Sequence, residues 1–544
     1  MADITEPGTC CQPESGSDRA SDKTKNSIRA NRSLAALLVT ALALRSATIG
    51  SHGVWLDEGY GIEAIKQPGF EAIIHFLRTD ISPPLHYFLL HSWTKIFGFG
   101  EFSLRMPSLI CGMLLIIVVY IAARDLFPET EIPFFSAFLI TISPLAVYYS
   151  QEIRPYGLLA LLAACTFLFL NRALKTGKPV LWTAYSIFNV LTFFTHYSSV
   201  PVLCAFAIIA FLMAGSRRRI LQYLLAQIPL VIMLIIWRSE FAIHMHNAST
   251  NFAEFIWKAN GLYVIAMSYM AFSGMGDFPR YLIHNEAEWY ANYVSLAFAL
   301  LLIPALRDAF DRKKRSDSTS LISLLIYLSM PCLLLLLSGL LGKYSYIPGR
   351  SDFVFYPPAA VLAAYGLNAF RSYLRYILIA MVTLMCGLNL SSYYMSANRA
   401  IDREVSLHYI PSIARPGDAV LTTTWINDSY GYYFSQAPKK LTVFRYPPDY
   451  MARSNQGLDV SEAFFEKEAE NIVPRITGYF DKAPPGSALI VVLQSRDIRL
   501  KPLMMRIYRH FHQDPGLPPI EVESSNCSPH YIVGRMIYSG GKAR

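Results

Sequence analysis

Apolar runs dominate the first 395 residues. Eleven approach the ~20 residues needed to cross a bilayer. They are Leu34–Ile49, Met106–Ala123, Ile132–Tyr149, Gly157–Leu170, Val180–Thr195, Val200–Ala214, Ile220–Trp237, Trp289–Ala305, Leu321–Leu341, Phe353–Phe370 and Ile377–Tyr393. A further stretch, Phe255–Phe272, is interrupted by Lys258, Asn260 and Gly261. With the N-terminus cytoplasmic, the short basic clusters all fall on the cytoplasmic side, as the positive-inside rule expects. These are Arg29/Arg32, Arg124, Arg172/Lys175/Lys178, Arg217–Arg219, Arg312–Arg315 and Arg371/Arg375. A crossing at Phe255–Phe272 would put Arg312–Arg315 outside, so that stretch reads as an interfacial or re-entrant helix. The pattern predicts a polytopic α-helical membrane protein of the plasma (inner) membrane, with about eleven transmembrane helices and its C-terminal region extracytoplasmic.

Three other regions have their own character. Residues 1–30 are rich in Ser, Asp, Glu, Gly and Pro and read as a disordered cytoplasmic tail. Within the membrane region, 31–395, residues 51–105 form a large outside loop. Its segments Glu71–Arg78 and Leu85–Phe97 have helical periodicity and aromatic residues suited to the membrane surface. Beyond residue 395 the long apolar runs end. Ala419–Thr424, Lys440–Arg445, Ala488–Leu493 and Tyr531–Tyr538 read as strands, and Ser461–Phe480 and Leu500–Phe511 as helices. This alternation predicts an extracytoplasmic α/β domain over 396–544. No glycine-rich loop follows its first strand, so no nucleotide site is assigned.

Composition agrees. Of 544 residues, 53% are hydrophobic and only 16% charged, against about 25% charged in soluble domains. That excludes an ordinary soluble enzyme, a disordered scaffold and a coiled coil. The net charge of +9 is mostly a topology signal. Its basic residues are divided among separate loops, so nucleic acid is not a partner. Of the eight cysteines, only Cys527 lies outside, which leaves no disulfide framework there.

The remaining polar residues gather in outside loops. Trp55-Leu56-Asp57-Glu58-Gly59-Tyr60 follows the first span. A carboxylate there suits a general base, or simply marks the end of the span. Asp80 precedes Pro83-Pro84-Leu85-His86-Tyr87, where it could cap the next helix. Arg105 has helical spacing to Glu101, a structural pairing. Ser150-Gln151-Glu152-Ile153-Arg154-Pro155-Tyr156 is a short second loop, whose Arg suits a phosphate or a lipid headgroup. His196-Tyr197 ends another span. Lys343 and Arg350 break the positive-inside trend and suggest a specific anion, such as a lipid-linked phosphate. Cations, a carboxylate and an apolar groove on one face fit sugar transfer from a polyprenyl-phosphate donor.

These pieces, in order and on one side, resemble the GT-C membrane glycosyltransferases. More closely they resemble glycosyltransferase family 39, the protein O-mannosyltransferases and the lipid A aminoarabinose and galacturonic acid transferases. The segments that carry the resemblance are Trp55–Glu58, Asp80–Tyr87, Glu101–Ser108, Ser150–Tyr156, His196-Tyr197 and Arg350 ahead of Tyr356-Pro357. Leu-His-Tyr follows the proline pair where the family often has Leu-Tyr-Tyr.

The resemblance implies catalytic roles for Asp57, Glu58 and Asp80. It implies a donor-phosphate site made of Arg154, Tyr156, Lys343 and Arg350, and pocket positions at Trp55, Tyr60, His86, Tyr87, His196 and Tyr197. It further implies displacement with inversion at the anomeric carbon and no obligatory catalytic metal. The partners implied are a polyprenyl-phosphate sugar, membrane lipids, and a glycolipid, polysaccharide or protein acceptor. A transporter or lipid flippase is the alternative. It would favour midplane charges and inverted repeats, whereas the charges here gather at the outer rim, with Arg45 the exception.

Overall fold

The computed structural model describes residues 16–51, 53–80, 82–128, 130–250, 300–311, 315–340, 350, 353–395, 403–423, 427–437, 440–447, 462–494, 500–517, 519–522 and 531–539. Phe255–Phe272, most of Trp289–Ala305 and Lys343 lie outside them.

The chain opens with helix α1 (Gly16–Ser46). It begins inside the stretch read as disordered, because a helix nucleated by an apolar segment propagates cheaply into its flank. The first loop folds into α2 (Leu56–Ile65), α3 (Phe70–Leu77) and α4 (Leu85–Phe97). Then come α5 (Glu101–Leu126), α6 (Ile132–Ile142), α7 (Pro144–Tyr149), α8 (Tyr156–Thr176), α9 (Pro179–Thr195), α10 (Ser199–Met213) and α11 (Arg217–Thr250). The membrane part closes with α12 (Ile303–Ala309), α13 (Arg315–Leu340), α14 (Tyr356–Ala369) and α15 (Ser372–Met395). By length and composition, four of the described helices can cross a membrane: α5, α8, α11 and α15.

Two differences from the apolar pattern have local causes. The run Ile132–Tyr149 breaks at Ser143, because Pro144 has no N–H to continue the ladder and the Ser143 hydroxyl caps the new helix at Ala146 N–H, 3.2 Å away. The short run Gly157–Leu170 becomes a 21-residue helix, α8, that ends where Gly177 turns left-handed at φ 68°.

Helix α8 is the buried centre, packed on α5 and α9. Helix α11 exposes Leu224, Ile228, Ile232 and Ile235. Lipid is as apolar as leucine, so polar clamps and close packing hold the helices together. Thr166 and Thr192 join α8 to α9 at 3.0 Å, and Asn189 donates to Gln227 of α11 at 2.8 Å. Arg45, fully buried in α1, donates to the Ile140 carbonyl at 2.8 Å, the Thr141 carbonyl at 3.1 Å and Ser150 Oγ at 3.1 Å. The exception in the charge pattern is therefore a structural clamp. A Cβ on Gly112 would meet Ser150 Oγ at 2.0 Å, so only glycine lets α5 approach there.

The C-terminal region forms β1 (Ala419–Thr423), α16 (Asn427–Gln436), β2 (Thr442–Tyr446), α17 (Glu462–Phe480), β3 (Ala488–Gln494), α18 (Lys501–Ile507), β4 (Phe511–Gln513), β5 (Ile520–Val522) and β6 (Tyr531–Tyr538). The sheet order is β2-β1-β3-β6-β4, with β5 also on β6. The β2/β1 and β1/β3 pairs are parallel and the β6 pairs antiparallel. Within the sheet, buried Arg535 of β6 pairs with Asp418 at 3.1 Å and with Asp514. Helix α16 was not anticipated. Its Tyr432 and Tyr433 enter one core with Val54, Ile62, Tyr87 and Leu104, so the domain braces the first loop.

Candidate active site

The first turn of helix α2 separates two adjacent carboxylates. Trp55 is extended, and its N–H donates to Glu58 Oε2 at 3.4 Å. Acidic residues suit a helix N-terminus, and successive helical residues point about 100° apart. Glu58 faces inward and is 0% exposed. It accepts from Arg105 at 3.0 Å and from the Ile153 N–H at 2.8 Å. Arg105 is equally buried and also holds the Ile49 carbonyl at 3.3 Å and the Gly53 carbonyl at 3.2 Å. Its expected partner, Glu101, is farther away at 3.4 Å. Glu58 is thus engaged inside the protein, beside the more open Asp57. Its lone pairs are spent inside the protein.

Asp57 faces the other way and keeps 23% of its side chain exposed. Arg350 Nη1 meets its Oδ2 at 2.8 Å, and Arg154 Nη2 approaches the same oxygen at 3.8 Å. Arg154 Nη1 also donates to the Asp57 carbonyl at 3.0 Å. Arg350 lies over Trp55, 4.9 Å from the ring, and Trp55 Nε1 is anchored on Glu152 Oε2 at 2.6 Å. Arg154 lies 5.8 Å from the Tyr156 ring. Burial alone would weaken both guanidinium ions. Burial is the largest single influence, but Asp57 and then Tyr156 and the other neighbours together outweigh it and raise both above the ordinary value. Three of the predicted residues, distant in sequence, therefore share one contact.

The other predicted positions divide. Tyr60 bonds Thr79 at 2.6 Å. Asp80 is buried and takes the Tyr87 hydroxyl at 3.4 Å, while α4 starts at Leu85 with no side-chain cap. Asp80 therefore does not cap that helix, and Tyr87 is spent on it. Tyr197 points away from the site: its hydroxyl meets His244 Nδ1 at 2.8 Å and Trp237 Nε1 at 2.9 Å. His196 packs on Tyr156 at 5.4 Å, with Nδ1 accepting the Ser198 N–H at 3.1 Å. His86 is buried within electrostatic reach of Arg154 and His196, and burial first, then Arg154, pushes its proton affinity down to about 3.

Residues 82–239 match a family model described as dolichyl-phosphate-mannose-protein mannosyltransferase. The fold is similar to that of ArnT from Cupriavidus metallidurans in the apo state, at 12% identity and TM-score 0.54, covering 93% of this chain and 98% of that one. The same protein bound to undecaprenyl phosphate is similar at 13% identity and TM-score 0.53, covering 92% and 97%. This is the GT-C membrane glycosyltransferase fold. The resemblance read from the sequence is borne out. No curated protein matched the chain by sequence.

Within the GT-C frame, the family match begins at Ser82 and takes in Arg154, Tyr156, His86 and His196, while α2 with Asp57 precedes it. Among the described residues no group of three His, Cys, Asp or Glu side chains is placed to hold a metal ion. Sequence reasoning missed Glu152, the anchor of Trp55, and Arg105 as the counter-ion of Glu58. Both stand in quoted motifs, but neither spacing nor composition reveals a partner 97 or 47 positions away. Tyr433 was also missed; its hydroxyl accepts the Val54 N–H beside the site.

Proposed function

We propose that this chain transfers a sugar from a polyprenyl-phosphate donor to an acceptor hydroxyl, with inversion, on the extracytoplasmic face of the inner membrane. The acceptor is a glycolipid, polysaccharide or protein. The observation that carries this reading is the Asp57 carboxylate held by Arg350 and Arg154, in a fold similar to one solved with undecaprenyl phosphate.

The acceptor O–H gives its proton to the Asp57 carboxylate as its oxygen attacks the anomeric carbon. The bond from that carbon to the lipid phosphate oxygen breaks, and the phosphate leaves with the electron pair. Arg154 and Arg350 neutralise the leaving charge, as forked donors suit a phosphate. One guanidinium cannot serve both anions fully. The arriving phosphodiester draws Arg350 from Asp57 and so frees the carboxylate to act as a base. Trp55 guides this exchange by keeping Arg350 over its ring. Asp80 acts through Tyr87 to shape the pocket wall. The reaction has no obligatory metal, because the two guanidiniums supply the positive charge.

The test is a panel of polyprenyl-phosphate sugars offered to purified protein with membrane extracts, the product identified by mass spectrometry. Transfer from at least one lipid-linked donor is expected, and it persists in chelator. Failure with every lipid-linked donor contradicts the reading.

A further inference from the structure

The C-terminal domain holds an open cleft of about 640 Å³ between α17 and the edge strand β2. That size falls within the ~300–1,000 Å³ of small-molecule sites. Arg475, Gly478 and Tyr479 line it from one face of α17, three and four positions apart, and Lys482 follows in the next turn. Thr442 and Phe444, two apart on one face of β2, line it from the other side. Phe444 and Tyr479 are half-buried, and their rings meet edge to face at 5.9 Å and 78°. Arg475 and Lys482 are exposed, and neither forms an ion pair among the described residues. The adjoining carboxylates are engaged elsewhere: Asp481 accepts the Tyr538 hydroxyl, and Asp418 is tied to Arg535. Two features of the cleft lack a structural cause. The carbonyl end of a helix favours cations, which accounts for Lys482 but not for Arg475, more than a turn from the end of α17. Gly478 is helical, where glycine is weaker than alanine, yet a Cβ there would meet nothing within 4 Å. Packing does not demand glycine at 478, whereas a ligand lying against the helix backbone would.

We propose that this cleft binds an acidic sugar of the acceptor, a ring that carries a carboxylate or a phosphate. This rests on the sugar-transfer reading above, which makes the ligand an acceptor, and it narrows that acceptor to an anionic saccharide. A pyranose ring has an apolar C–H face and a polar rim. Tyr479 and Phe444 offer apolar ring surface to the face, and the Tyr479 hydroxyl offers a polar tip to the rim. Arg475 forks two donors onto the anion, and Lys482 adds a compact charge. The carbonyl end of α17 opposes an anion, so these two side chains supply the attraction.

The test titrates the full chain, in nanodiscs of neutral lipid, with trigalacturonate, glucose 6-phosphate, neutral maltotriose and a tetra-aspartate peptide. At least one of the two acidic sugars binds wild type about tenfold or more tighter than maltotriose and the peptide do. Preference for trigalacturonate identifies the anion as a carboxylate, and preference for glucose 6-phosphate identifies it as a phosphate. Arg475→Ala and Lys482→Ala each weaken that binding about tenfold. Gly478→Leu fills the cleft and weakens it at least as much, with a melting temperature no lower than wild type, because leucine is the better helix former. If Gly478→Leu does lower the melting temperature, the two exposed cations decide the matter alone. The inference is overturned if neither acidic sugar binds, if the peptide binds as tightly as they do (a general anion surface), or if binding survives loss of both cations. Acidic-sugar binding in a protein that uses no lipid-linked donor leaves the cleft standing and defeats the transfer reading. Transfer by a protein whose cleft binds neither acidic sugar defeats this inference alone.

Discussion

Asp57 and Glu58 are neighbours in sequence and opposites in environment. Glu58 is sealed behind Arg105 and the Ile153 N–H, with no exposed surface. Asp57 is shared between Arg350 and Arg154 and keeps about a quarter of its side chain open. Both are carboxylate–guanidinium clusters, yet they do different work. A fully buried pair holds its geometry because breaking it strands a charge. A partly open pair can exchange partners. Function here follows from accessibility and from which anions can compete for the arginines, not from the presence of acid and base.

The largest effect on stability is expected at the buried pair. Glu58→Gln removes the buried counter-charge that Arg105 meets at 3.0 Å, and should destabilise the fold by about 3 kcal/mol. Thermal unfolding in detergent measures this. A loss of activity with no loss of stability would return Glu58 to a direct role. On the open half, Arg350→Ala should raise the donor KM about ten- to a hundredfold while leaving the melting temperature near wild type. Arg350→Lys should fall between, because an ammonium lacks the fork.

Acidification should act on the wall between the two clusters. His86 has its folded proton affinity lowered to about 3, below the ordinary 6.5. Between those values the unfolded chain binds a proton that the folded chain does not, so stability falls as pH falls below about 6.5. The contribution is about 2 kcal/mol at pH 5. His86→Gln should flatten that part of the stability–pH curve. The smallest effect belongs to Tyr433→Phe. It removes the acceptor of the Val54 N–H and should cost about 1 kcal/mol, with the first loop exchanging amide hydrogens faster. No change in exchange would deny the C-terminal domain its bracing role.

Much of the scaffold is legible in the sequence, because hydrophobic period and breakers act locally. Leu85–Phe97 and Tyr531–Tyr538 fold with the bounds their patterns predict. Pro474 lies inside one helix, Glu462–Phe480, held by a buried face that includes Phe465, Ile472 and Ile476. Helix α16 is not legible. Asn427–Gln436 carries Gly431, Ser and three tyrosines, weak helix formers whose order comes from packing on α2. At the site, residue types and sidedness pointed to Asp57, Arg154 and Arg350. Their meeting could not be read, since Asp57 and Arg350 are 293 positions apart. Nor could periodicity say which of Asp57 and Glu58 turns inward. That depends on where Arg105 arrives from another helix.

The role of Asp57 is tested most directly by Asp57→Asn with a working polyprenyl-phosphate sugar. Expected are a fall in kcat of about a thousandfold, an unchanged melting temperature, and undecaprenyl phosphate binding at least as tight as in wild type, because Arg350 no longer has a competing anion. Turnover near the wild-type rate would contradict the role of Asp57 as the base. Loss of undecaprenyl phosphate binding in the same variant would contradict the exchange of Arg350 between carboxylate and phosphate.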